Sequence, residues 1–219
     1  MTTYIENVYI CLAAPILIAA IGLRSRRKMH MIFLLAGMSA CLLSSYITTW
    51  MAALVGVGSE YAVTEVAPFV EEVVKFSPIL FCLIVASPPR ERVPEYVLMI
   101  SVGFATLENV CYLLTNGSQN LIRLLIRGFG TGAMHVVCGA MVSAGLIWLW
   151  KNQWLQIIGT VGLISVAITY HGVFNILVTR TGAFLVIGCI IPVFTMGLFL
   201  LSRRLRGSDA SVYNNENVI

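Results

Sequence analysis

The chain has 219 residues, 58% hydrophobic and only 11% charged, with a mean hydropathy of +0.89. A soluble domain carries roughly 25% charged residues, so a water-soluble globular protein is excluded and an all-α polytopic membrane protein remains. The formal charge of +4 is not a nucleic-acid signal, because its placement, followed below, is that of a membrane topology.

Long apolar runs between short polar loops predict about seven transmembrane helices of roughly 20 residues each. They lie near 5–23, 30–55, 64–87, 94–115, 121–150, 155–178 and 182–202. The first run has its basic residues after it, at Arg24, Arg26, Arg27 and Lys28. A cleavable signal peptide has them before, so this run is expected to be a retained span. Short loops predict that sequential helices are antiparallel neighbours. The fifth run begins with Arg123 and Arg127 at i and i+4 among aliphatics. That suits an interfacial helix before a span starting near Gly128, or equally a long tilted helix with snorkelling arginines. Residues 1–205 read as one transmembrane domain with its catalytic core at 64–178, and 206–219 as a disordered cytoplasmic tail.

With the first loop inside, ten of the 14 Lys and Arg fall on the cytoplasmic side: Arg24, Arg26, Arg27, Lys28, Arg90, Arg92, Lys151, Arg203, Arg204 and Arg206. The expected orientation is therefore N-terminus out and C-terminus in. The six cysteines, at 11, 41, 82, 111, 138 and 189, sit in apolar stretches with no CxxC pair and read as core residues. His30 reads as an interfacial bystander, and Glu95 as a solvated flank.

Four polar groupings interrupt the spans: Glu71-Glu72 with Lys75, Glu108, His135, and His171 with Asn175. Ionisable groups at membrane depth are costly and mark functional sites. Counted from the outer ends of their spans, all four fall six or seven residues in, roughly 10 Å deep at the helical rise. Glu71 and Glu72 are i,i+4 and i,i+3 to Lys75, so the lysine can neutralise a carboxylate. His171 and Asn175 share a face, as do Phe104 and Glu108. Gly128, Gly132, His135 and Gly139 form a stripe expected to press His135 against neighbouring helices.

Two histidines with two carboxylates match the inventory of a catalytic zinc site, in which three ligands hold the metal and a second carboxylate acts as base. Asn175 is placed to donate to a developing oxyanion. No HExxH motif is present, and a metal-free mechanism with Glu71 activating water fits the same residues. Against these stands a structural reading: Glu72 with Lys75 as an intramembrane ion pair and the histidines as helix–helix hydrogen bonds. A proton- or ion-coupled transporter or channel is the alternative function, and a membrane scaffold or immunity protein a third.

Glu71-Glu72-Val73-Val74-Lys75, Gly103-Phe104-Ala105-Thr106-Leu107-Glu108-Asn109, Met134-His135 and His171-Gly172-Val173-Phe174-Asn175 resemble, in order and spacing, the PrsW-type intramembrane proteases, relatives of the CAAX prenyl endopeptidases and bacteriocin-processing enzymes. The resemblance covers roughly 64–178 and implies an intramembrane endopeptidase. It implies that Glu71 activates water, that Glu72 bonds towards Lys75, and that Glu108, His135 and His171 bind a metal, zinc, or polarise water, with Asn175 stabilising the oxyanion. Glu108 departs from the histidine of the CAAX pattern, and Asn175 from the aspartate familiar in PrsW-type proteins. The implied substrate is a single-pass membrane protein such as an anti-sigma factor. It would be cut near the outer leaflet of the bilayer, in a bacterial plasma membrane.

Overall fold

The computed structural model describes the backbone of residues 4–116, 121–150 and 152–216, with side chains at 25, 26, 116, 122, 123, 153 and 202–216 left out of the description. Every element among the described residues is helical. These are α1 (Ile5–Gly22), α2 (Ser25–Val55), a composite α3, α4 (Val93–Asn116), α5 (Leu121–Leu149), α6 (Gln153–Thr179) and α7 (Ala183–Glu216). The composite helix joins a turn at Ser59–Tyr61, a π-helical stretch at Ala62–Val66 and an α-helix at Ala67–Val85. A 3₁₀ turn at Arg90–Arg92 leads into α4. The seven predicted runs thus map onto seven helices. The expected tail at 206–219 falls where side chains, and beyond 216 the backbone, lie outside the described residues.

Among the described residues six helices are long and apolar enough to cross a membrane: Ile5–Gly22, Arg27–Val55, Arg90–Thr115, Leu124–Leu149, Trp154–Thr179 and Ala183–Leu201. The missing member is α3, which carries Glu71, Glu72 and Lys75 within its 19-residue α-helical part. The α5 segment runs unbroken through Gly128, with neither a proline nor a turn where an interfacial piece would end. Arg127 turns inward from it, as described below.

The packing order is not the chain order. α2 and α4 touch backbone to backbone, because Gly37 stands against Ile100 and Gly103 against Leu34. A Cβ at either glycine would lie 2.0 Å from the opposing carbonyl oxygen. Without a hydrophobic force between helices in lipid, such close approach supplies the van der Waals contact that holds them together. At one end of this crossing His30 meets Glu95 at 3.1 Å and Phe33 stacks on Tyr96 at 4.5 Å, so neither His30 nor Glu95 is a bystander. α5 packs on α4, α6 and α7, while α3 packs on α2 and α6. α1 lies outermost, joined to α2 by Tyr9–Ser39 at 2.7 Å and by Tyr46–Glu6, and only Ala20 of it is buried.

Two apolar clusters bracket the polar groups. One includes Phe76, Ile79, Ile100, Met134, Cys138 and Phe174. The other gathers Met38, Ala40, Cys41, Phe104 and Leu107. The glycine stripe on α5 is only partly a packing device: a Cβ at Gly139 would lie 2.3 Å from Ser101 Oγ, but nothing lies within 4 Å at Gly132. Gly103→Ala therefore lowers stability by about 1–3 kcal/mol through overpacking, whereas Gly132→Ala is tolerated. Thermal unfolding of the purified variants in detergent measures both.

Candidate active site

Adjacent residues on an α-helix point about 100° apart, and this separates the two glutamates of α3. Glu72 faces inward, and Lys75, one turn on, donates to its Oε1 at 2.6 Å. Both side chains are fully buried. Lys75 Nζ also donates to His135 Nδ1 at 3.2 Å. An ammonium only donates, so Nδ1 is an acceptor there, and Nε2 carries the proton given to Glu108 Oε2 at 2.5 Å. On the other side, His171 Nδ1 donates to Glu72 Oε1 at 2.8 Å. That assigns the proton to Nδ1 and leaves Nε2 as a bare acceptor, 3.6 Å from Glu71 Oε2. The two imidazoles stand edge to face with centroids 5.1 Å apart, and Phe104 lies 4.8 Å from His135. The four groupings picked out along the chain thus form one connected network.

Within that network the carboxylates are placed unequally. Glu71 Oε2 is buried and has no hydrogen-bond partner among the described residues. With one nitrogen each of His135 and His171, one Glu71 carboxylate oxygen makes a trio lying within 4.8 Å of one another. The sequence reading grouped Glu108 with these histidines instead. Glu108 is bonded to His135, and its Oε1 lies 3.8 Å from Arg127 Nη2. Spacing along separate helices could not distinguish the two carboxylates. Asn175 is also engaged: its Nδ2 donates to the carbonyl of Val63 at 2.9 Å, inside the π-helical stretch. A π-turn disturbs the regular carbonyl ladder and often accompanies a functional site. The Asn175 amide braces that turn.

A cavity of about 860 Å³ opens beside the network. Glu71, Glu108, Tyr112, Arg127 and Asn175 line it, with the α6–α7 loop at 180–182 on its rim. Glu72, Lys75, His135 and His171 stand behind this wall, none more than 1% exposed. Arg127 is the site residue whose position sequence reasoning missed, since it was read as interfacial. Its signal was present: Arg127, Thr131 and His135 step by four residues along one face of α5.

A family model described as PrsW family intramembrane metalloprotease matches residues 24–201, which takes in α2 to α6 in full and α7 as far as Leu201. The chain belongs to the PrsW family of intramembrane metalloproteases. No curated protein and no solved structure matches it. This PrsW-family chain is thus a multi-pass membrane hydrolase acting on a membrane-embedded substrate. The family's metal has a candidate donor set here: a buried Glu71 oxygen without a partner among the described residues, a bare His171 Nε2, and one nitrogen of His135, which must first give up its bond to Glu108 or to Lys75. The Glu72–His171 bond holds the imidazole in one orientation, as the outer hydrogen bond of a metal-binding histidine does.

Removing one member of a buried ion pair leaves an uncompensated charge, at a cost of about 3–5 kcal/mol. Lys75→Met should lower stability by that amount. The double variant Glu72→Gln/Lys75→Met should recover part of it, since glutamine still accepts from His171. Denaturant unfolding in detergent measures the cycle.

Proposed function

We propose that this protein hydrolyses a peptide bond in a single-pass membrane protein near the outer face of a bacterial plasma membrane, in the manner of site-one cleavage of an anti-sigma factor. The observation carrying the proposal is the trio of Glu71, His135 and His171, within 4.8 Å, with Glu71 lining an open cleft and both imidazoles buried behind it. The cleft, at about 860 Å³, has room for an extended peptide segment. In this reading α3 is a seventh span. The basic residues set the N-terminus outside, so that the cleft opens beneath the outer surface. The common EExxK-type pattern supports extending the kinship to the CAAX prenyl endopeptidases.

Glu71, His135 and His171 would hold the metal, taken as zinc, with His135 exchanging its bond to Glu108 or Lys75 for the ion. When bound, zinc supplies Lewis-acid polarisation of the substrate carbonyl and lowers the pKa of a water towards neutrality. Glu108, whose Oε1 is the oxygen not bonded to His135, takes the proton from the attacking water and returns it to the leaving amine. The sequence expectation gave the base role to Glu71 and a ligand role to Glu108. The partnerless oxygen of Glu71 beside both imidazoles supports exchanging them. Glu72 fixes the His171 ring through Nδ1, Lys75 neutralises Glu72, and Asn175 holds the π-turn that carries Val63 past the cleft. The transporter alternative has no comparable support, because the family match is to a hydrolase.

Elemental analysis and a cleavage assay on purified protein separate the two roles. Glu71→Gln should lose both metal and activity. Glu108→Gln should keep the metal and lose activity by about 10²–10⁴-fold. Metal kept in Glu71→Gln but lost in Glu108→Gln would restore Glu71 as the base.

A further inference from the structure

Arg127 lines the cleft. Its guanidinium carbon lies 4.0 Å from the Tyr112 ring centroid, a cation–π contact that holds the group against the ring. Among the described residues its Nε is buried without a partner. The nearest carboxylate oxygen, Glu108 Oε1, is 3.8 Å from Nη2, beyond hydrogen-bond reach. Of the other nitrogen donors near the network, Asn175 Nδ2 gives one of its two N–H groups to Val63, Lys75 is fully buried between Glu72 and His135, and Arg180 lies on the loop at the cavity rim. Amide hydrolysis places a negative charge on the carbonyl oxygen, and that oxygen needs a preorganised donor.

Building on the peptidase reading, we infer that Arg127 is a catalytic residue that donates a hydrogen bond to the scissile carbonyl oxygen. As the water oxygen bonds to the carbonyl carbon, the C=O π pair moves onto that oxygen, where the Arg127 N–H meets it. The pair returns as the C–N bond breaks, and the amine leaves with the proton taken from water. An acidic substrate side chain is the other group that would attract a guanidinium. Glu71 and Glu108 line the same cavity and repel a third carboxylate there, whereas a neutral carbonyl meets no such opposition. The assignment also accounts for an arginine two helical turns from His135 on the same face of α5.

The test uses full-length protein in nanodiscs with a fluorogenic single-pass substrate, comparing wild type, Arg127→Gln and Arg127→Lys. For Arg127→Gln, kcat should fall by about 10²–10³-fold, with KM, metal content and melting temperature unchanged. Arg127→Lys keeps the charge but not the planar fork, so its kcat should fall by roughly tenfold, and this variant decides if Arg127→Gln does not fold. Wild-type kcat in the folded variants overturns the inference. So does a loss confined to KM for substrates with an acidic residue beside the cleavage site. A wild-type protein that cleaves no membrane substrate would instead overturn the peptidase reading on which the inference rests.

Discussion

The structure depends on the buried contact between Lys75 and Glu72. Two opposite charges, 2.6 Å apart and fully buried, sit between two apolar clusters. Neither charge would be stable there alone, since desolvating an unpaired ion costs several kcal/mol. The pair also distributes its remaining hydrogen-bonding capacity. Glu72 Oε1 accepts from His171 as well as from Lys75, and Lys75 donates onward to His135. One ion pair thereby sets the tautomers of both imidazoles. Specificity of arrangement, more than stability, is what such a buried pair contributes.

That contact also explains why α3 differs from its neighbours. Three ionisable residues in 19 make it the least lipid-compatible of the long helices, and it is screened by packing against α2 and α6. Its polar face closes the site on one side, while α4, α5 and α6 bring Glu108, His135 and His171 to the other. Backbone contact at Gly37 and Gly103 holds α2 against α4, and this keeps Phe104 and Glu108 at the depth of His135. The tight crossing of two apolar helices thus fixes the position of two functional groups.

Much of this was legible in the chain itself. Helix periods and apolar runs located all seven helices. Helical rise brought Glu71, Glu108, His135 and His171 to one level, because depth is additive along a rigid helix. The Glu72–Lys75 pairing followed from i,i+3 spacing. Rotation about each helix axis, set by tertiary packing, was not legible. Hence Glu71 and Glu108 could not be told apart as metal ligands, and Arg127 looked like an interfacial residue. Asn175, expected to serve an oxyanion, also gives one N–H to Val63, because α3 opens into a π-turn that no local propensity announces. The stripe of glycines on α5 had the same weakness, since Gly139 meets Ser101 while Gly132 meets nothing.

The account's central claim is that this buried pair presents His135 and His171, together with Glu71, to one metal ion. Anomalous diffraction from crystals of the active protein, collected on either side of the zinc absorption edge, tests it most directly. The account predicts a single strong anomalous peak in contact with Glu71, His135 and His171. Active enzyme whose peak lies elsewhere, or that shows no peak at all, would contradict it.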